Sequence, residues 1–341
     1  MTVTATPTQL GQKWLRYARV LVGKNGNGDV SPTVGISIES AQPDGSSPGL
    51  RIKFEITKTI YHTPNQALIT IYNLLQEHEQ AIDKEYNDLI LIAGYQGQER
   101  VVFRGNIRFT HFYGDGLDRY AEINAADGDK DFHNALVNFT LAAGHDDQDT
   151  IDNLLTSFQA TTKGHIHGKH ISRKRIRGRT YSGSARDVLT ALARENDGHW
   201  SIQDGLLNLV PVDSVLPTEA IVVSSDNGLL GPPEVNDKGI TIRTMLEPRI
   251  VPGGKLWLQN NEVRQKHLKA ALTGQKHKLK GANVPVRLDP DGIYKVFAHK
   301  LTGDTRDTEW VSECRCVGLD QPIPSKKGMM PMSSSPDGDV M

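Results

Sequence analysis

The sequence predicts a mainly β chain with an α+β insertion: two barrel-like β domains flanking a small α+β module. Three observations carry this reading. Apolar and polar residues alternate strictly in stretches near both ends of the chain, the pattern of half-buried strands. Two helix signatures fall in its middle, one with first-turn carboxylates and one with an N-cap. Glycine, 32 of 341 residues, punctuates short segments with turn signals throughout. A chain of this length exceeds one ordinary core, so two or three domains are expected.

The elements follow in order. "LRIKFEIT" puts Leu50, Ile52, Phe54 and Ile56 on one face and Arg51, Lys53, Glu55 and Thr57 on the other. "ALITIYNL" is a second strand, and "LLQEHEQAID" an amphipathic helical piece of roughly two turns. "DLILIAGY" is a buried strand, and "ERVVFRGNIRFTHFY" and "DRYAEINAAD" flank the turn "GDGLD". To about residue 130 this is a barrel or sandwich. In "HDDQDTIDNLLTSFQ", Asp146, Asp147 and Asp149 sit where carboxylates favour the positive end of a helix. In "YSGSARDVLTALARENDGHW", Ser184 and Asp187 resemble a capping pair before the stripe Val188, Leu189, Leu192 and Ala193. "WSIQDGLLNLVP" is a hairpin turning at Asp204-Gly205. These elements make a module over 131–213. Strands return in "AIVVSS", "GITIRTML", "KLWLQ", "GIYKVFAHKL" and "EWVSECRCVGL", a second β domain over 214–320. Gly231, Pro232 and Pro233 fix the chain at its start, and "EPRIVPGG" at Glu247 closes one end. The Pro-, Ser- and Met-rich stretch 321–341 has no periodicity and is expected to be an extended tail.

Composition narrows the function. With 39 basic and 40 acidic residues, the chain lacks the basic excess of a dedicated nucleic-acid binder. "MTVTATPTQLGQ" has no basic region followed by an apolar run, so no secretory leader is expected, and no apolar window is long enough to span a bilayer. The two cysteines, Cys314 and Cys316, are spaced i and i+2. On a strand they face the same way and are poorly placed to bond each other, so buried reduced thiols and a reducing cytoplasm are expected.

The stretch "KGHIHGKHISRKRIRGRTY" holds the most active-looking chemistry. His165 and His167 share one side of a strand and His170 offers a third ligand, as zinc sites use. Seven cations run from Lys163 to Arg179 with no acid among them, which disfavours a metal and makes an exposed polar loop the stronger reading. Phosphate binding is weakened by the single aromatic, Tyr181, and a loop facing an acidic protein neighbour fits as well. Ile171 and Ile176 suggest an ordered strand within the run. A second acid-free basic segment runs from Val263 to Arg287. No phosphate loop, Gly-x-Ser-x-Gly elbow or His-Glu-x-x-His motif occurs. "AADGDKD" and "DPDG" read as turns.

Five landmarks in order are more specific than any alone: "TPNQALITIYNL", "LILIAGYQG…VVFRGNI", "YSGSARDVLTALARENDGHWSIQDGLLNLVP", "GLLGPP…GITIRTMLEPRIVPGGKLWLQ" and "GIYKVFAHKLTGDTRDTEWVSECRCVGL". Over roughly residues 12 to 320 they resemble phage tail baseplate hub proteins, the central hubs of contractile tails, which share a fold with the trunk of type VI secretion spike proteins. The resemblance implies two tail-tube-like β-barrel domains per subunit. Three subunits then form a pseudo-hexameric homotrimer ring, with the α+β module outside it. It implies a structural rather than catalytic role, without cofactor or metal, in the virion tail after assembly in the host cytoplasm. The implied partners are a tail tube protein above, a spike or needle protein below, and baseplate wedge or sheath-initiator proteins at the side. DNA passes the lumen only transiently. The sequence departs from the family in the basic insertion near Lys266 to Lys280 and in the Met-rich tail.

Interface or lumen residues are then expected on the polar strand faces, namely Arg51, Lys53 and Glu55 with Arg104, Asn106 and Arg108. The basic segments contribute Arg173, Lys174, Arg175, Arg177 and Arg179, with Lys266, Lys276 and Lys278. Two other classes compete. One is a tail-associated peptidoglycan hydrolase whose catalytic part is the module around His165 to His199. The other is a DNA-handling tail or portal factor.

Overall fold

The computed structural model describes residues 15–24, 34–40, 49–236, 239–259 and 292–319. In chain order the first β region contains β1 (Arg16–Lys24), β2 (Val34–Glu39), β3 (Ile52–Thr59), β4 (Gln66–Tyr72), helix α1 (Gln76–Lys84), β5 (Asp88–Tyr95), β6 (Arg100–Asp115) and β7 (Asp118–Ala126). The central module contains α2 (Asp129–Asn134), β8 (Leu136–Leu141), α3 (Asp147–Leu155), β9 (Thr162–Ile166), β10 (Arg179–Ser184), α4 (Ala185–Glu195), β11 (Gly198–Gln203) and β12 (Leu206–Pro211). The last β region contains β13 (Ile221–Val223), β14 (Glu234–Asn236), β15 (Gly239–Met245), β16 (Lys255–Leu258), β17 (Ile293–Asp304) and β18 (Trp310–Gly318).

Local sequence accounts for the clearest elements. β3 alternates as its pattern dictates, burying Ile52, Phe54 and Ile56 and exposing Lys53 and Glu55. β11 and β12 meet at Asp204-Gly205, whose φ angles of 54° and 81° are those a two-residue primed turn requires. α3 opens with a capping box: Asp146 accepts from the Asp149 N–H, and Asp149 accepts from the Asp146 N–H, each at 3.0 Å.

One sheet joins the two outer regions, in the order β14-β15-β18-β17-β3-β4-β7-β6-β5-β1-β2, with β16 on β17 and β13 on β16. β17 is its pivot. One flank pairs with β18 along its length, while the other pairs first with β16 through Ile293 to Lys295 and then with β3 from Ala298 to Asp304. The change of partner coincides with a register shift between Val296 and Ala298 against β18, and the Phe297 carbonyl accepts from Ile60 N–H at 3.1 Å. Leu50 N–H donates to Glu39 O at 3.0 Å, bringing the far edge strand β2 back toward the start of β3.

The cores follow the sheet. The largest gathers Val20, Phe54, Ile69, Leu91, Phe103 and Ile123 of the first region, and Leu246, Leu301 and Trp310 of the last region complete it. A second packs Ile151, Leu154, Leu189, Leu192, Trp200, Leu207 and Leu209 inside the module. A third holds Ile240, Ile242, Leu256, Tyr294, Val296, Cys314 and Cys316.

Several local expectations change. "AADGDKD" contains helix α2 rather than only a turn. Ser184 occupies the N-cap of α4 but its side chain makes no capping bond. Ile176 lies in the loop between β9 and β10 rather than on a strand, because the strand pairing of this segment stops at Ile166 and resumes at Arg179. The tail 321–341 lies outside the described residues.

Candidate functional site

The sheet face opposite the first core is one candidate surface. Lys53 and Glu55 of β3 stand on it, with Arg51 just ahead of the strand. Arg51 chelates the Asp304 carboxylate at 2.7 to 3.2 Å, and its guanidinium lies 4.5 Å over the Tyr72 ring. That hydrogen bond raises the Arg51 pKa; Asp304, although burial opposes its ionisation, is held below the ordinary carboxylate range mainly by Arg51. Glu55 pairs with Lys300 at 2.8 Å. Register places Tyr72 opposite Tyr120, and Tyr120 opposite Tyr113. These rings form a cross-strand ladder with centroids 4.9 and 5.0 Å apart, continued by His111 at 5.1 Å. Sequence reasoning missed this ladder. Its signal was the placement of Tyr113 and Tyr120 on either side of the "GDGLD" turn.

On β6 the expected trio does not share one environment. Register shifts between Leu91 and Ile92 and between Ile107 and Phe109 break the alternation on both flanks. Asn106 is therefore buried, donating to Asp88 Oδ1 at 2.5 Å. Arg104 is half-buried against Gly205, and Arg108 pairs with Asp129 at 2.5 Å.

The basic run neutralises its own module. Lys163 pairs with Asp152 at 2.5 Å, and Lys169 lies 3.5 Å from both Asp197 and Asp213. Lys174 reaches Asp146 at 2.8 Å, and Arg179 reaches Glu195 at 3.0 Å. Arg175 binds Asp147 at 2.5 Å and also Glu195. The Lys174 hydrogen bond holds the Asp146 carboxyl below its ordinary range, and the hydrogen bond to Asp147 raises the Arg175 pKa. Asp147 is 1% exposed; its other oxygen accepts from Asn196 Nδ2 at 2.9 Å, and Asn196 Oδ1 accepts from His170 N–H at 2.9 Å. Arg173 and Arg177 make no ion pair among the described residues. Lys266, Lys276 and Lys278 lie outside those residues.

His165 and His167 do lie side by side, with ring centroids 6.1 Å apart, and burial pushes the His165 pKa down. Among the described residues no group of three or more His, Cys, Asp or Glu side chains is arranged to hold a metal. Cys314 and Cys316 are free thiols buried on one face of β18, and burial raises the pKa of both. Among the described residues no helix is long and apolar enough to cross a membrane.

Two buried joints fix the module. At the first, the Asp127 carboxylate at the end of β7 accepts from Asp204 N–H at 2.5 Å and Gly205 N–H at 3.0 Å. Lys58 of β3 binds the Asp204 carboxylate at 2.6 Å. Asn65 donates to Ile202 O and Gln203 Oε1, and Gln203 donates to Thr59 O at 2.7 Å. Within the module, beside this joint, Asp131 of α2 accepts three successive N–H groups, from Gln159, Ala160 and Thr161, at 2.8, 3.1 and 2.7 Å. Burial, then the neighbouring Asp204, raises the Asp127 pKa. At the second joint, the Lys295 ammonium donates to the carbonyls of Pro211, Val212 and Ser214 at 3.2, 3.2 and 2.5 Å. Burial pushes its pKa down to about 8.

Neither a family model nor a curated protein matches the sequence. Solved structures do. The 43 kDa tail protein of prophage MuSo2 from Shewanella oneidensis superposes with a TM-score of 0.53 at 8% identity, covering 89% of this chain and 99% of its own. The tail protein from Neisseria meningitidis MC58 gives 0.54 at 9% identity, covering 91% and 100%. An E. coli component of the type VI secretion system, described as similar to bacteriophage T4 tail proteins, gives 0.50 at 9% identity, covering 80% and 74%. Over most of its length, the chain thus carries the phage tail-protein fold that the order of its motifs resembles.

Proposed function

We propose that this chain is the structural hub of a phage tail baseplate. Three copies form a pseudo-hexameric ring from their two β regions, joining a tail tube protein above to a spike or needle below. The single observation supporting this most is the extent of the likeness: two tail proteins, one of them from a prophage, superpose over 99% and 100% of their own chains. The division into β domain, module, β domain and tail belongs to this reading. So does a lumen lined by the polar sheet face with Lys53, Glu55 and the tyrosine ladder, through which DNA passes without a lasting complex. Wedge or sheath-initiator proteins contact the outer module.

Light scattering of the purified chain should give a trimer, and electron microscopy of tails labelled on this chain should show a ring at the tip. A strict monomer at high concentration, together with absence from tail particles, overturns the reading. The hub reading also predicts no lysis of purified peptidoglycan and no salt-sensitive DNA binding.

A further inference from the structure

Of the seven cations from Lys163 to Arg179, five are occupied by carboxylates of the same module: Lys163, Lys169, Lys174, Arg175 and Arg179. Among the described residues Arg173 and Arg177 have no carboxylate partner, and between them in the chain Ile176 is 92% exposed. The backbone that carries Ile176 is nonetheless fixed. Arg175 N–H donates to His145 O at 2.8 Å, and Arg175 O accepts from Gly144 N–H at 2.7 Å. The Arg175 side chain is tied to buried Asp147, and Ile171 packs on the module core. An aliphatic side chain held out on a pinned backbone, with exposed Arg173 and Arg177 before and after it in the chain, loses little freedom on being covered.

We propose that the tip Arg173 to Arg177 docks on a partner protein, Ile176 filling an apolar recess whose rim carries carboxylates for Arg173 and Arg177. Charge and shape select this occupant. Two free cations neutralise only about two phosphates, too few for firm nucleic-acid binding, and an aliphatic tip cannot stack on bases. Two cations at about 1 kcal/mol each and one aliphatic side chain do not hold a protein on an anionic bilayer. Guanidiniums match carboxylates in bidentate geometry, and a central apolar anchor with a charged rim is the usual form of a protein hot spot. The proposal rests on the tail reading only for where the partner is sought.

The test replaces Ile176 with photoreactive benzoylphenylalanine in the full chain, with Leu136 of the same module, 73% exposed, replaced in a control. Both are made in cells producing whole tail particles, which are purified and irradiated. The expected result is one discrete protein adduct from position 176, mapped to an Asp- and Glu-rich peptide and absent from position 136. Adding Arg173→Ser and Arg177→Ser should reduce it by ~10-fold. No adduct above the control in particles that contain the chain, or an adduct removed by nuclease or extracted with lipid, overturns the proposal while leaving the hub reading intact. If the chain is missing from particles, the hub reading fails and purified chain decides the docking proposal. Retention on immobilised polyglutamate that exceeds retention on duplex DNA and on phosphatidylglycerol vesicles, and is lost in the double Arg variant, supports it. Equal or stronger retention on DNA or vesicles, or no loss in the variant, overturns it.

Discussion

The two joints that hold the module solve one problem with opposite charges. At the first, a carboxylate collects backbone donors: Asp127 takes two N–H groups of the hairpin turn, and beside it, inside the module, Asp131 takes three from residues 159 to 161. At the second, one ammonium collects backbone acceptors, the carbonyls of Pro211 at the end of β12 and of Val212 and Ser214 after it. Both are 3% exposed or less at the charged residue, so burial destabilises each charge and shifts the two pKa values in opposite directions. At both joints peptide groups are the direct hydrogen-bond partners of the buried charge, with Lys58 and Asp213 as the nearby countercharges.

The largest effect should come from Asp131→Ala, which leaves three N–H groups, that of Thr161 buried, without their acceptor. A loss of about 3 kcal/mol or more is expected in urea denaturation, with module amides exchanging first by hydrogen exchange. Lys295→Met should cost less, about 1–3 kcal/mol, because the apolar chain still fills the site while three carbonyls lose their donor. If Lys295→Met costs more than Asp131→Ala, the ammonium joint is the stronger of the two and the comparison reverses.

The joints should also separate by pH. Lys295 is lowered from 10.5 to about 8 when folded, so between those values the unfolded chain binds more protons and stability rises with pH. That rise should vanish in Lys295→Met. Asp127 is raised above 3.8, so the folded chain holds the extra proton and stability falls as pH climbs above that value. His199, lowered to about 4 by burial, acts in the opposite direction between 4 and 6.5. The Asp127 contribution is therefore read as the difference in melting temperature between the native chain and Asp127→Asn across pH 4 to 7. A difference that does not change with pH removes the carboxylate from the first joint's titration. The smallest effect should be Gln203→Ala, about 1 kcal/mol, from one lost bond to Thr59 O and one to Asn65.

Much of the fold was legible wherever neighbours in sequence decide the structure. The alternation of β3 and the Asp204-Gly205 turn are local, and both appear as read, while the acids read only as first-turn charges of α3 also form a capping box between Asp146 and Asp149. β17 was harder to place, because it is buried on both faces while carrying Lys295, His299 and Lys300, so its composition gives little hint of its central position. The joints were not legible, since the partners of Asp131 and Lys295 are peptide groups that every residue possesses. The basic run was legible as charge but not as available charge. Four acids, Asp146, Asp147, Asp149 and Asp152, precede it on α3 and its cap, and only folding shows that Lys163, Lys174 and Arg175 end there while Lys169 and Arg179 end on acids that follow the run.

β17 has a mechanical consequence. Its two flanks are hydrogen-bonded to β18 and, in succession, to β16 and β3, so the outer β regions are laminated along a shared strand rather than tethered by a hinge. A load applied to one region along that strand is carried by many ladder bonds in parallel shear, which must fail together before the other region can lag behind. A push on either end of the sheet therefore moves both as one stiff piece.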